Sequence, residues 1–240
     1  MAKLLKNSEN LHILQIPGDQ MQPAIRVKIC GMKSVDDIVI AVNCGADAVG
    51  FITEVPVDTP RNLDMELSIE LIKATPPFVT TVMVIMPESI THARKLVSNA
   101  RPDMVQVHST VNRRLLTALQ SMHVRIIQKF SISDETKVLE TIKIINELAE
   151  CNLIDAIILD TACSIGGGSG LTHDWQISSE VAKNIPVPLI VAGGLNPQNV
   201  GECVDIVSPY GVDVSSGVEV NGKKDLNRVC DFIGAVRCSN

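Results

Sequence analysis

From Ile25 onward, short apolar runs alternate with stretches in which apolar positions recur every three to four residues. Short runs bounded by turn residues predict strands buried on both faces, and the longer recurrence predicts helices between them. The predicted strands cover 26–30, 48–52, 79–85, 104–107, 125–130, 156–160, 189–192 and 211–214. The predicted helices begin near Ser34 and Asn196 and cover about 65–74, 89–100, 112–121, 134–150, 175–183 and 225–236. Ser34 with Asp36 and Asp37 reads as a cap with early carboxylates, Gly45 as a helix stop, and Asn196-Pro197 as an N-cap with proline at the first helical position. Eight βα units in series predict an α/β fold, a closed (β/α)8 or TIM barrel, as one domain over 25–240. Residues 1–24 carry no sustained period, are broken by Pro17, Gly18 and Pro23, and read as a short N-terminal extension.

Composition narrows this picture. Aromatic residues make up only 2% of the chain, so the core has to be built from Val, Ile, Leu and Ala, as parallel strands favour. A formal charge of -6 and a scattered set of basic residues argue against a nucleic-acid surface. No apolar stretch is long enough for a membrane span, and residues 1–10 lack the apolar segment of a signal peptide, so a cytoplasmic protein is expected. Seven cysteines, odd in number and never spaced C-x-x-C, indicate neither a zinc knuckle nor a disulfide framework and imply a reducing compartment.

In a barrel of this kind the active site lies where strands meet the helices that follow them, and phosphate is commonly held by the loops after strands seven and eight. Gly193-Gly194 and Ser215-Ser216-Gly217 occupy those two loops and would offer backbone N–H donors with little side chain in the way. Either alone would ordinarily be a turn; their joint placement favours a phosphate site. Cys30 closes strand one and Asp160 closes strand six, so a thiolate and a carboxylic acid could face each other across one pocket, as proton transfer beside a carbonyl or imine requires. A cysteine is more usually a small buried hydrophobe, and Asp160 is as well explained by a loop cap.

Gln106 and His108 share one face of strand four, and Asp213 shares a face with Ser215. Arg61, in a long proline-punctuated loop after strand two, could clamp a carboxylate bidentately or simply be solvated. The run Gly166-Gly167-Gly168-Ser169-Gly170 lacks the Lys and Ser/Thr of a Walker loop and reads as an active-site loop. Asp174 reads as a helix cap before Trp175.

Together, Val27-Lys28-Ile29-Cys30-Gly31-Met32, Gly45-Ala46-Asp47-Ala48-Val49-Gly50-Phe51, Val105-Gln106-Val107-His108, Leu159-Asp160-Thr161, Gly168-Ser169-Gly170, Asp174-Trp175, Ala192-Gly193-Gly194-Leu195 and Gly211-Val212-Asp213-Val214-Ser215-Ser216-Gly217-Val218-Glu219 resemble the phosphoribosylanthranilate isomerase family, in the family's order. The wording around His108 and Asp160, with Ile52-Thr53-Glu54-Val55-Pro56, looks closest to archaeal members. The resemblance implies an Amadori rearrangement of N-(5-phosphoribosyl)anthranilate in tryptophan biosynthesis, needing neither cofactor nor metal. It implies that Cys30 is the general base and Asp160 the general acid. Arg61 then meets the anthranilate end, although Val55 to Thr59 departs from the commoner family wording. Gln106, His108 and Asp213 fall on substrate-pocket positions, and Gly194, Ser215 and Ser216, with Gly193 beside them, on the phosphate grip. The expected partner is a small phosphoribosyl substrate, bound by a monomer or homodimer.

An acid serving in this way has to hold its proton near neutral pH, whereas helix N-termini near the strand tips would favour thiolate at Cys30. The related histidine-pathway aldose-ketose isomerase uses two aspartates, and Cys30 argues against it. Indole-glycerol-phosphate synthase would call for catalytic lysines in a pattern not found here. A non-catalytic metabolite-binding barrel, or a redox sensor pairing Cys30 with Cys163, belongs to a different class.

Overall fold

The computed structural model describes residues 24–132, 135–160 and 175–239. Apart from Ala24, the expected N-terminal extension lies outside the described residues, as do Cys163, the Gly166–Gly170 run and Asp174. Eight parallel strands form the barrel: β1 Arg26–Cys30, β2 Ala48–Thr53, β3 Thr80–Ile85, β4 Met104–Val107, β5 Arg125–Phe130, β6 Ala156–Asp160, β7 Leu189–Ala192 and β8 Gly211–Val214. They pair in sequence order, and β1 closes the ring against both β2 and β8. Eight helices follow them: α1 Val35–Asn43, α2 Met65–Ala74, α3 Ile90–Ala100, α4 Arg113–Gln120, α5 Val138–Glu150, α6 Trp175–Lys183, α7 Val200–Val207 and α8 Leu226–Cys238.

The main core lies between the ring of strands and the helices, where Phe51, Met83, Leu96, Leu116 and Phe232 are fully covered. A smaller apolar layer, Val82, Ile127, Ala156, Ile158, Ile190 and Ala192, fills the barrel interior. Local chemistry sets the helix starts, since Ser34, Asp64, Ser89, Asn112 and Asp225 each accept a hydrogen bond from a first-turn N–H of the helix they precede. At the opposite end of the barrel, aspartates cap the N–H groups that open strands. Val27 N donates to Asp47 at 2.8 Å, Thr81 N to Asp103 at 2.8 Å and Ile126 N to Asp155 at 2.7 Å.

Three expectations need correction. Asn196 does not cap α7: its side chain accepts from Gln198 N within a turn over 196–199, and the helix starts only at Val200. Residues 135–137 form a separate 3₁₀ turn, so α5 begins at Val138. Cys44, just past α1, and Cys230 in α8 form a disulfide with Cα atoms 4.9 Å apart, against the reading of no disulfide in a reducing setting. The two lie 186 positions apart, and only barrel closure brings the first and last helices side by side. Among the described residues no helix is long and apolar enough to cross a membrane.

Candidate active site

The alternation of a strand sends every second side chain inward. On β1 this places Lys28 and then Cys30 inside, on β4 Gln106 followed by His108, on β6 Asp160, and on β8 Asp213 followed by Ser215. A cavity of about 340 Å³ opens at the carboxyl ends of the strands. It gathers all ten predicted residues: Cys30, Arg61, Gln106, His108, Asp160, Gly193, Gly194, Asp213, Ser215 and Ser216. A larger cavity of about 660 Å³ at the other end is lined by Val82, Ile127, Ile190, Phe78 and Tyr210, away from the strand tips where these barrels do chemistry.

Cys30 is 6% exposed and sits beside Gly50, its register partner on β2. A β-carbon added at Gly50 would stand 2.7 Å from Cys30 Sγ and 3.1 Å from its Cα, so only glycine leaves room for the thiol. Burial pushes the thiol above its ordinary value, and Asp213 adds to this, while Lys28 and Lys224 oppose it. The direction is opposite to the expected preference for thiolate, because desolvation outweighs the nearby positive charge.

Beneath Cys30, Lys28 Nζ donates to Asp213 Oδ1 at 2.9 Å and to Gln106 Oε1 at 3.0 Å. His108 stands between Gln106 and Asp160, with Nδ1 at 3.3 Å from Gln106 Nε2 and Nε2 at 3.5 Å from Asp160 Oδ2. Burial holds the imidazole below its usual value, although Asp160 opposes this.

The loop carrying Arg61 is folded by Asn62, whose side chain accepts from Val55 N and donates to Val55 O, both at 3.0 Å. Asn62–Leu63 then adds two residues of parallel pairing to β2. Arg61 does not present an open fork. Its Nε and Nη2 donate to Glu219 Oε1 and Oε2 at 2.9 and 2.5 Å, and Lys224 Nζ donates to Glu219 Oε1 at 2.8 Å. The two cations hold the Glu219 carboxyl down at about 2 despite its burial. Of the two partners of Glu219, Lys224 is only five residues away and pairs with it in a short antiparallel ladder, whereas Arg61 comes from the loop after β2 and leaves no local signal.

At the phosphate end, Gly193 and Gly194 take φ of 88° and 66°, the left-handed region that glycine tolerates and that turns successive N–H groups to one side. Ser215 Oγ is buried and has no hydrogen-bond partner among the described residues, while Lys224 Nζ reaches Ser215 O at 3.1 Å. A buried unpaired hydroxyl is costly unless a ligand oxygen meets it. Among the described residues no three His, Cys, Asp or Glu side chains converge as a metal site would need.

Fold and site define a (β/α)8-barrel enzyme whose titratable side chains and small-residue loops meet at the carboxyl ends of the strands. The model of the N-(5'-phosphoribosyl)anthranilate (PRA) isomerase family matches residues 27–235, and the chain belongs to that family. It is 44% identical over 226 residues to the N-(5'-phosphoribosyl)anthranilate isomerase of Methanosarcina acetivorans, covering 89% of this chain and 94% of that protein. This agrees with the archaeal wording of its motifs. The crystal structure of the isomerase from Thermotoga maritima superposes with a TM-score of 0.78 at 32% identity, covering 89% of this chain and 99% of the other. A phosphoribosylanthranilate isomerase structure in complex with reduced 1-(o-carboxyphenylamino)-1-deoxyribulose 5-phosphate matches at 0.75 and 30%, with the same coverage.

Proposed function

We propose that this chain converts N-(5-phosphoribosyl)anthranilate to 1-(2-carboxyphenylamino)-1-deoxyribulose 5-phosphate in tryptophan biosynthesis, with Cys30 as general base and Asp160 as general acid. The observation that carries this reading is the convergence of Cys30, Asp160 and the two small-residue loops on one cavity in a member of the isomerase family. Gly193, Gly194, Ser215 and Ser216 hold the phosphate, with Ser215 Oγ supplying the buried hydroxyl. Anchored there, the sugar extends between β1 and β6.

Asp160 gives its proton to the ring oxygen as the amine nitrogen pushes the furanose open to a protonated imine. Cys30 removes the proton from C2, and the resulting enolamine tautomerises to the aminoketone. A thiol held above its ordinary value is a minor thiolate at neutral pH but a strong base once formed. Arg61, with two of its nitrogens committed to Glu219, meets the anthranilate carboxylate through the remaining Nη1 rather than as a two-pronged clamp.

The test is fluorescence: phosphoribosylanthranilate generated in situ loses its emission as it isomerises. A loss dependent on the chain, with the aminoketone identified by mass, supports the function. Unchanged emission at stoichiometric protein sinks it.

A further inference from the structure

Lys28 has no place in the roles above, yet it is only 4% exposed in the barrel interior. A buried ammonium has to be paired, and here it is, to Asp213 and Gln106. The pairing carries information, because an ammonium has donors only whereas an amide has one end of each kind. The Gln106 atom facing Lys28 must therefore be the oxygen, and the amide nitrogen must face away. That nitrogen stands 3.3 Å from His108 Nδ1. Since it can only donate, Nδ1 has to accept, and a neutral imidazole then carries its proton on Nε2. The Nε2 atom is the one 3.5 Å from Asp160 Oδ2, at the long end of direct contact.

We propose that Lys28 and Gln106 are positioning residues that fix the tautomer of His108, so that its Nε2–H is presented to Asp160 Oδ2. The inference rests on the reading of Asp160 as the general acid. With Oδ2 engaged by an N–H, the acid's own proton resides on Oδ1, which turns to the sugar ring oxygen. The other tautomer would aim a nitrogen lone pair at Asp160 and compete for the proton that the ring opening needs. Four strands contribute: Lys28 and Asp213 are neighbours in register on β1 and β8, Gln106 lies on β4 with His108 just past its end, and Asp160 ends β6. The charged groups around His108 are Asp160, Lys129 on β5, Lys28 and Asp213.

The experiment is a two-bond ¹H–¹⁵N spectrum of the full chain labelled in its five histidines, with the His108 signals identified by their loss in His108→Asn. The expected pattern is the Nε2–H tautomer. Gln106→Glu keeps a partner for the Lys28 ammonium, so the barrel folds, but it offers His108 only an acceptor. Nδ1 must then carry a proton, and the spectrum moves to the Nδ1–H or doubly protonated ring. In the same variant kcat falls by about tenfold or more while KM changes little. Lys28→Met frees Gln106 to turn and gives mixed tautomers.

An Nδ1–H pattern in the unsubstituted chain overturns the proposal, as does a Gln106→Glu spectrum identical to it. A rise in KM with unchanged kcat would make Gln106 a plain substrate contact and equally overturn it. An inactive unsubstituted chain that still shows Nε2–H would refute the isomerase reading and leave the relay standing, so the two failures are distinguishable.

Discussion

Replacing Gly50 by alanine tests whether the thiol of Cys30 has to stand where the structure places it. The new methyl would lie 2.7 Å from Sγ, against an ordinary contact that begins near 3.4 Å, so the two must part by about 0.7 Å. Retreat is hindered on two sides, because the same methyl meets Cys30 Cα and Lys28 Cε at 3.1 Å, and the Lys28 ammonium is pinned by Asp213 and Gln106. A misplacement of about 1 Å in a reacting group costs on the order of 10²-fold, so Gly50→Ala is expected to lower kcat by roughly 10- to 100-fold. Overpacking also costs about 1–3 kcal/mol of stability, which lowers Tm by several degrees without unfolding the chain at assay temperature. The phosphate end is built on β7 and β8, so inhibition by inorganic phosphate should be unchanged. The assay is the fluorescence decay of phosphoribosylanthranilate, with thermal unfolding and phosphate inhibition run on the same preparation. A folded Gly50→Ala chain with kcat within about twofold of the unsubstituted one would refute the placement of the base.

Other consequences follow from single contacts. Glu219→Gln removes the carboxylate that holds Arg61 and Lys224, and KM for phosphoribosylanthranilate should rise about tenfold with a smaller change in kcat; an unchanged KM would deny Arg61 its role. The same carboxyl is held at about 2 against an ordinary 4.5, so the stability it contributes is present above pH 4.5 and lost as pH falls toward 2. Acid unfolding followed by circular dichroism should therefore be shallower over that interval in Glu219→Gln. Burial raises the Cys30 thiol above the usual 9, so iodoacetamide alkylation of the Cys30 peptide, read by mass with no substrate added, should have its midpoint above pH 9; a midpoint below 9 contradicts the desolvation argument. Two of the seven cysteines should resist thiol reagents in the denatured chain until reductant is added. Reduction should lower Tm, since a cross-link spanning 186 positions is worth up to about 5 kcal/mol on chain-entropy grounds.

The barrel was legible because parallel strands covered on both faces are written as short continuous apolar runs. Helix starts were legible where a side chain caps its own first turn, as at Ser34, Ser89 and Asn112. Asn196 misled because an Asn-Pro pair suits a tight turn as well as a helix start, and here its side chain closes the turn. The ten candidate residues could be placed because strand alternation fixes which side chains point inward and the strand tips fix which end they reach. Pairings between distant parts of the chain were not legible: Arg61 with Glu219, Lys28 with Asp213, and Cys44 with Cys230 are set by ring closure, which no local window encodes. Lys28 did leave a trace, since a lysine inside an apolar strand needs a buried partner, but the sequence alone could not say which.

In the proposed function, Cys30 and Asp160 work as a base and an acid on one sugar held by its phosphate. Single-turnover kinetics of Cys30→Ala and Asp160→Asn beside the unsubstituted chain, with phosphate-competitive binding measured on all three, separate these roles from phosphate anchoring. Each substitution is expected to slow isomerisation by at least about 10²-fold while the affinity for inorganic phosphate stays within a few fold. Full turnover in either variant, or a loss of activity that tracks a loss of phosphate binding, would contradict those roles.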